Sequence, residues 1–427
     1  MPFLPAFRRA LFLSAPLFLG AIFSGSAGCA ADVQPDEALG DGNEIVDVPQ
    51  TAVERQSIGN CWIYAEASWV ESMNLTATGQ AFDVSQSYWT YWHWFDQIAG
   101  SSGATAKAIS TGGNFTTAGN IIRRYGLMAE KDFVPTDSDD EMSIRQKDAL
   151  AAMNLSLSEG ALKTPAARRN KQLVRAELDR AWRLSAEVSS ALTKTFGADV
   201  SKTFASTSAA SNSRGTNIIA PRAFPVAYSR SVGGAATRST LLDAVNEWRQ
   251  NSYSSGTTGR VLLQRVQRAM HDRQPILVSW FVDFNAMAES GSDRPGSFNL
   301  MTLNSHLSPG RQGGHMTVFE DYDATLADGT RLPAGSTLDP SNAADKAKLG
   351  RALDTGTTIN FFRVKNSWGA SRLDRSFAPG MPGYHDLYMD YLDGPIARCA
   401  QVNGETDTTN CTTKVTPLQY VILPPGY

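Results

Sequence analysis

Cysteine is scarce in this chain, with 4 in 427 residues, and so is histidine, with 5. Few thiols leave no room for a shared disulfide framework, so each cysteine is read for a separate use. A dominant charge is missing as well: the formal net charge is −3 and the pI about 6.0. Neither the composition nor any basic run points to nucleic acid or to an acidic substrate. Long apolar runs are absent beyond the N-terminus, where no stretch reaches the ~18 residues a membrane helix needs. What the chain does have is length and 42% hydrophobic residues, enough for a large core, expected as two subdomains around one cleft.

The N-terminus reads as an export signal over residues 1–29. Arg8 and Arg9 precede an apolar run from Ala10 to Phe23, and small residues then lead into Cys29. Ser26-Ala-Gly-Cys29 resembles the lipobox of bacterial lipoproteins, which implies a lipid on Cys29. Ordinary cleavage near Ala27 or Ala30 is the alternative. The expected localisation is therefore the bacterial cell envelope or the exterior, with contact to a membrane only through that lipid. Residues 30–50 carry Asp32, Asp36, Glu37, Asp41 and Glu44 with no apolar period, and read as a flexible acidic tether. In an oxidising compartment Cys399 and Cys411, twelve positions apart in a polar stretch, would pair.

From Asn60 to Leu75 the chain lacks Gly and Pro, and Trp62, Ala65, Trp69 and Met73 recur at helical spacing. A buried helix beginning at Cys61 is expected, followed by an aromatic helix over 85–98 and another over 116–125. Residues 140–205 continue in helical style, and 205–240 read as loops. Leu262 to Asp272 is amphipathic. Strands are expected at 274–282, 316–322, 360–365 and 419–423. Helices first and strands later give an α+β class.

A thiol in the first turn of a helix meets free N–H groups and the positive end of the macrodipole, which lowers its pKa and makes it a nucleophile. For acyl transfer it needs a histidine to carry the proton and a group to orient that histidine. His93 sits among tryptophans, His271 ends a helix as a favourable cap, and His306 and His385 lack context. His315 is different: Gly313-Gly-His315-Met-Thr-Val-Phe places it at the start of an apolar strand, a rigid support for a base. Asn366 follows the next apolar strand, and Trp368 beside it could shield a His–Asn hydrogen bond from water.

Gly59-Asn-Cys61-Trp62, Gly314-His315 and Asn366-Ser-Trp-Gly369, in that order, resemble the three motifs of papain-like cysteine peptidases over about residues 50–425. Ser85-Gln-Ser-Tyr88, Tyr125-Gly-Leu-Met-Ala-Glu-Lys-Asp-Phe133 and a helical insertion at about 134–240 are most similar to the bleomycin hydrolase and bacterial aminopeptidase C branch. The resemblance implies a peptidase domain over 51–425, with a helical subdomain, a β-barrel-like subdomain and an active-site cleft between them. It implies Cys61 as nucleophile, His315 as its partner, Asn366 as orienter, Trp368 as cover and Gly112-Gly113 as backbone against which a peptide substrate lies. No cofactor or metal is implied, and the short stretch before Cys61 implies no inhibitory pro-segment.

Two departures stand out. The family places an oxyanion-hole glutamine six positions before the cysteine, whereas Gln56 is five before Cys61 and Arg55 occupies the six-position spacing. The C-terminal segment does not match the arm that makes bleomycin hydrolase an aminopeptidase, so exo- or endopeptidase action stays open. Two other functions also stay open: an inactive binding lipoprotein on the same scaffold, and a Cys-His amidase or acyltransferase.

Overall fold

The computed structural model describes residues 48–427 except 101–107, 207–209, 306–308, 337 and 403. The export signal, Cys29 and most of the acidic tether lie outside the described residues, as does His306. Residues 48–50, assigned to the tether from the sequence, are not loose: Val48 and Gln50 are buried.

The class is α+β, helical in front and sheet-rich behind. Helix α1 (Cys61–Thr78) forms where glycine and proline are absent, and Gly79 ends it in the left-handed conformation that glycine adopts without cost. Nearly every side chain of α1 is buried, Glu66 and Glu71 included, so the helix runs through the core rather than along its surface. Helix α2 (Gln86–Ala99) starts where the Ser85 hydroxyl accepts the Tyr88 N–H, and α3 (Phe115–Tyr125) where the Asn114 side chain accepts that of Thr117. Trp89, Trp92 and Trp94 of α2 are all within 1% of full burial. Each such ring contributes on the order of 1.5–3 kcal/mol by leaving water.

The insertion is helical as expected, with Ile144–Ser158, Lys171–Ala181 and Ala186–Phe196 as its main pieces. It packs back on α2, Trp182 lying 5.2 Å from Trp94 and Tyr91 donating to Asp179 at 2.6 Å. The stretch 205–240, read as loops, also contains an antiparallel hairpin, Pro225–Tyr228 with Thr237–Thr240. Its strands of four residues are too short for an alternating pattern to register.

Behind α1 lies an eight-stranded sheet. Its main strands are β1 (Arg249–Ser252), β2 (Ile276–Asp283), β3 (Ser297–Phe298), β4 (Gln312–Thr325), β5 (Thr358–Lys365), β6 (Tyr384–Tyr388) and β7 (Leu418–Leu423), in the spatial order β1-β7-β2-β4-β5-β6-β3. The central β2 is buried along its whole length, which is why it reads as an unbroken apolar run. In register, His315 of β4 faces Trp280 of β2, and Val318 faces Lys365 at the end of β5. Asn366, the residue after β5, is thereby carried to the His315 end of β4. The disulfide Cys399–Cys411 is present, S–S 2.04 Å, beside the short pairings that lead into β7.

Candidate active site

Cys61 is the first residue of α1, is the free cysteine of the described part and keeps partial exposure. The preceding Asn60 does not cap the helix. Its amide donates instead to Thr90 Oγ1 (3.0 Å) and Gln146 Oε1 (2.9 Å), leaving the first N–H groups of α1 without a side-chain acceptor. The sequence argument for a depressed thiol pKa needs correction. Burial pushes the Cys61 thiol up, to about 11, and the N–H groups of Met316, Trp62 and Cys61 itself only partly oppose it. The Met316 N–H against the sulfur also brings the thiol to the residue after His315.

The His315 ring is held on three sides. Its Nε2 lies 2.7 Å from Asn366 Oδ1, Trp368 stacks on it with centroids 4.8 Å apart, and Trp280 meets it edge-on at 5.5 Å. With Nε2 engaged, Nδ1 is the nitrogen left for a proton exchanged with Cys61. Burial lowers His315 to about 4, against the raising effect of the Asn366 bond, with Arg375 lowering it further. Each of these shifts opposes one group charging by itself. Moving the thiol proton onto His315 creates both charges together, and their mutual attraction offsets the desolvation that each suffers singly.

Asn366 is fixed by more than His315. Its Oδ1 also accepts the Ser367 N–H at 2.8 Å, and its Nδ2 lies 3.3 Å from Nδ1 of His385, a fully buried histidine on β6. His385 had no assignable context in the sequence. The signal that could have found it is the strand itself: Val364 of β5 faces His385 in register, two residues before Asn366. Burial holds His385 down at about 3, with Arg375 and His315 adding to the effect, so it is neutral and its Nδ1 can accept from the Asn366 amide.

The segment carrying Gln56 runs antiparallel to the Asn366 motif. The Gln56 N–H donates to the Ser367 carbonyl (2.9 Å) and the Gly369 N–H to the Glu54 carbonyl (3.2 Å). Gln56 Oε1 accepts from Ser367 Oγ at 2.6 Å, while its amide donates to the Ile58 carbonyl at 2.8 Å, leaving one N–H of that amide over. The Arg55 backbone N–H donates to the Glu141 carbonyl, and the Arg55 charge acts on Glu141 and on Arg375. Gly369 has φ +80°, and a Cβ there would strike Glu141 Oε2 at 2.6 Å, which explains the glycine on both counts.

Trp62 donates to the Thr111 carbonyl at 2.9 Å, and a Cβ on Gly113 would meet its ring at 2.4 Å. Packing against Trp62 is thus a reason for Gly113 independent of substrate. Gly112 has room, with Ser110 Oγ at 3.8 Å the nearest atom to a Cβ. Two histidines prove structural. His93 is buried edge-on to Trp62, and burial lowers it to about 4. His271 meets Tyr322 Oη at 2.7 Å and is lowered to about 4 by burial, so it is neutral and gains nothing from the helix end it was expected to cap.

Below the site, Glu54, Glu71 and Asp83 bring carboxylate oxygens within 4.8 Å of one another. Lys365, beside them, supplies a cation and donates to Thr51 Oγ1 at 2.9 Å. Burial, then Glu71 and Asp83, hold Glu54 protonated well beyond the usual carboxylate range. Burial raises Glu71 and Asp83 as well and lowers Lys365, whose attraction to Glu71 and Glu54 opposes that lowering, and Lys365 is pinned one residue before Asn366.

No protein-family profile and no curated sequence matches the chain. Among solved structures it is similar to PepW from Lactobacillus rhamnosis HN001, at 13% identity over 91% of this chain and 82% of that one, TM-score 0.43. It is similar to xylellain, a cysteine protease from Xylella fastidiosa, at 13% identity over 90% and 86%, TM-score 0.33. A clostridial cysteine protease, Cwp84, is similar at 10% identity over 88% of this chain and 56% of that one, TM-score 0.33.

Proposed function

We propose that the chain is a papain-like cysteine peptidase that hydrolyses peptide bonds through a thioester on Cys61. The observation that carries this reading is the pairing of His315 Nε2 with Asn366 Oδ1 at 2.7 Å beneath Trp368, next to a partly exposed thiol at the start of a buried helix. A scaffold that only binds needs no oriented imidazole beside a thiol.

In this mechanism the Cys61 proton passes to His315 Nδ1 as the sulfur attacks the peptide carbonyl carbon. Negative charge moves to the carbonyl oxygen, where the Cys61 N–H and the remaining Gln56 amide N–H stabilise it. The C–N bond then breaks and the leaving amine takes the proton from Nδ1. A water molecule attacks the thioester and gives one proton to Nδ1. Collapse breaks the C–S bond to release the carboxylic acid, which loses its remaining proton to solvent, and the Cys61 thiolate beside protonated His315, restoring the pair. Asn366 keeps the imidazole in the tautomer these steps need, and Trp368 keeps water from the His–Asn bond.

The test is covalent labelling by a peptidyl epoxide with peptide mapping, alongside digestion of a peptide library. Labelling confined to Cys61 and peptide turnover lost in Cys61→Ala support the reading. Labelled protein that turns over only non-peptide amides would make it an amidase. Export with a lipid on Cys29 is proposed from the sequence: fatty-acid incorporation should vanish in Cys29→Ala, and a released, unlabelled wild type would refute it.

A further inference from the structure

The flank of the site beyond Trp368 gathers arginines from distant parts of the chain. The Arg375 guanidinium lies 4.6 Å from the Trp368 ring centroid and 4.7 Å from that of Phe284, and Arg311 lies 4.7 Å from the same Phe284 ring. Arg55 and Arg372 are near enough for their charges to act on Arg375. Arg372 is paired with Asp374, and Arg55 has Glu141, whose oxygens also accept from Ala370 and Ser371. Among the described residues neither Arg311 nor Arg375 forms an ion pair, Arg375 Nη1 lies 4.0 Å from Met287 Sδ, and Arg375 Nε is buried without a partner. Asp283, beside Phe284 in sequence, spends its oxygens on the N–H groups of Asn285 and Gly310 and on Gln312 Nε2.

Gathering like charges costs folding free energy, and here two carboxylates facing four arginines return only part of it: Asp374, paired with Arg372, also acts on Arg375, and Glu141 is shared with the Ala370 and Ser371 N–H groups. Guanidinium groups spread on aromatic faces keep their N–H edges free to fork onto a carboxylate. The place is also chemically defined. His315 gives its proton to the leaving amine, so the leaving half of a substrate lies on the His315 side, and Trp368 joins that imidazole to Arg375. Between Arg311 and His315 the strand offers only Gln312, which is buried, and Gly313 and Gly314, where a Cβ would meet nothing within 4 Å.

We propose that Arg311 and Arg375 form a carboxylate-binding subsite for the leaving-group half of the substrate. The substrate class is a peptide with an acidic side chain, or its own terminal carboxylate, shortly past the scissile bond. This rests on the cysteine-peptidase reading, and the test separates the two. Three peptides sharing one acyl half are compared by kcat/KM: a neutral leaving half with an amidated end, the same with an acidic side chain, and the neutral one with a free C-terminus. The wild type should favour at least one anionic peptide by about tenfold, as a charge pair at short range in partly screened surroundings allows. Which of the two is favoured tells the acidic side chain from the terminal carboxylate. Arg311→Gln and Arg375→Gln should each bring the ratio toward one, and Arg375→Lys, which keeps the charge but not the fork, should keep only part of it. Equal rates for all three peptides, or a preference untouched by both glutamine variants, would overturn the subsite. The second readout needs no turnover: alkylation of Cys61 by iodoacetate relative to iodoacetamide should fall roughly fivefold in either glutamine variant. If that ratio falls while no peptide is cleaved, the anion subsite stands and the peptidase reading fails. An unchanged ratio in folded Arg311→Gln, whose side chain is exposed, counts against the subsite whatever Arg375→Gln does.

Discussion

The two walls of the site are made by different physics. The α1 wall offers Cys61 from a helix end whose N–H groups are left uncapped, so its contribution is backbone geometry supported by a buried helix. The sheet wall offers His315 and Asn366 from strand ends, and their geometry is fixed by side chains: Trp368, Trp280, Ser367 and His385. Backbone donors are tied to the fold and tolerate substitution around them, whereas an imidazole held by rings and one amide depends on each of those contacts.

Removing the sheet wall's base should therefore have the largest effect. His315→Ala is expected to lower kcat by roughly 10⁴ or more, as does loss of a base in such dyads, with folding judged intact by near-UV circular dichroism. Gln56, proposed above as an oxyanion donor, comes next, and it tests whether the α1 side relies on backbone alone. Gln56→Ala should lower kcat by roughly 10²–10³ with KM much less changed, while Arg55→Ala, whose charge acts on Glu141 and Arg375, should leave kcat within a fewfold. The reverse ranking would mean that the six-position spacing decides.

His385 sharpens the comparison, since it reaches His315 through Asn366 and through Trp368, which it meets edge-on at 5.1 Å. His385→Phe keeps the buried ring but removes the acceptor, and kcat should fall several-fold at constant KM, with His385→Gln restoring part of it. A purely structural role would instead move the melting temperature and spare the ratio of the two variants' kcat values.

The pH profile tests the walls together. The reactive form of the Cys61–His315 pair holds a single proton. Activity should fall on the acid side as pH drops through the value near 4 set by burial of His315, and on the alkaline side as it rises through that near 11 for Cys61. The plateau between should be broad because the pair titrates as a unit. Stability follows a related sign. His93, His271, His315 and His385 are all held below the ordinary histidine value, so the unfolded chain binds more protons below pH ~6.5. Their contribution is complete above that pH and is lost as pH falls toward 4. Urea midpoints between pH 7 and 4 should show the loss, and His271→Gln, remote from the site, should flatten the curve without affecting catalysis. The smallest effect on activity is expected from Cys399→Ala with Cys411→Ala, which opens a loop of 12 residues' separation and should cost about 2–3 kcal/mol of stability by the chain-entropy model.

Much of this was legible in the chain. Local signals were sufficient for α1, α2, α3 and the buried strands, because a helix or strand is chosen by neighbours within a few residues, and they singled out Cys61, His315 and Asn366 as candidates, each at the start or end of such an element, which the fold then brings together. The disulfide was readable because only two cysteines lacked another use. What the sequence could not yield depends on residues far apart in the chain. The thiol's raised pKa and the neutral His271 come from the density around them, His271's partner Tyr322 lies fifty-one residues on, and the acceptor for Asn366 comes from a strand that joins the sheet beyond it. The balanced composition gave no hint of a basic cluster, yet folding brings Arg55, Arg311, Arg372 and Arg375 to one flank while Asp283 and Glu141 are taken up largely by backbone donors and Asp374 by Arg372. Composition counts charges without regard to place, and electrostatic potential is set by distances of a few ångströms that only the tertiary structure decides.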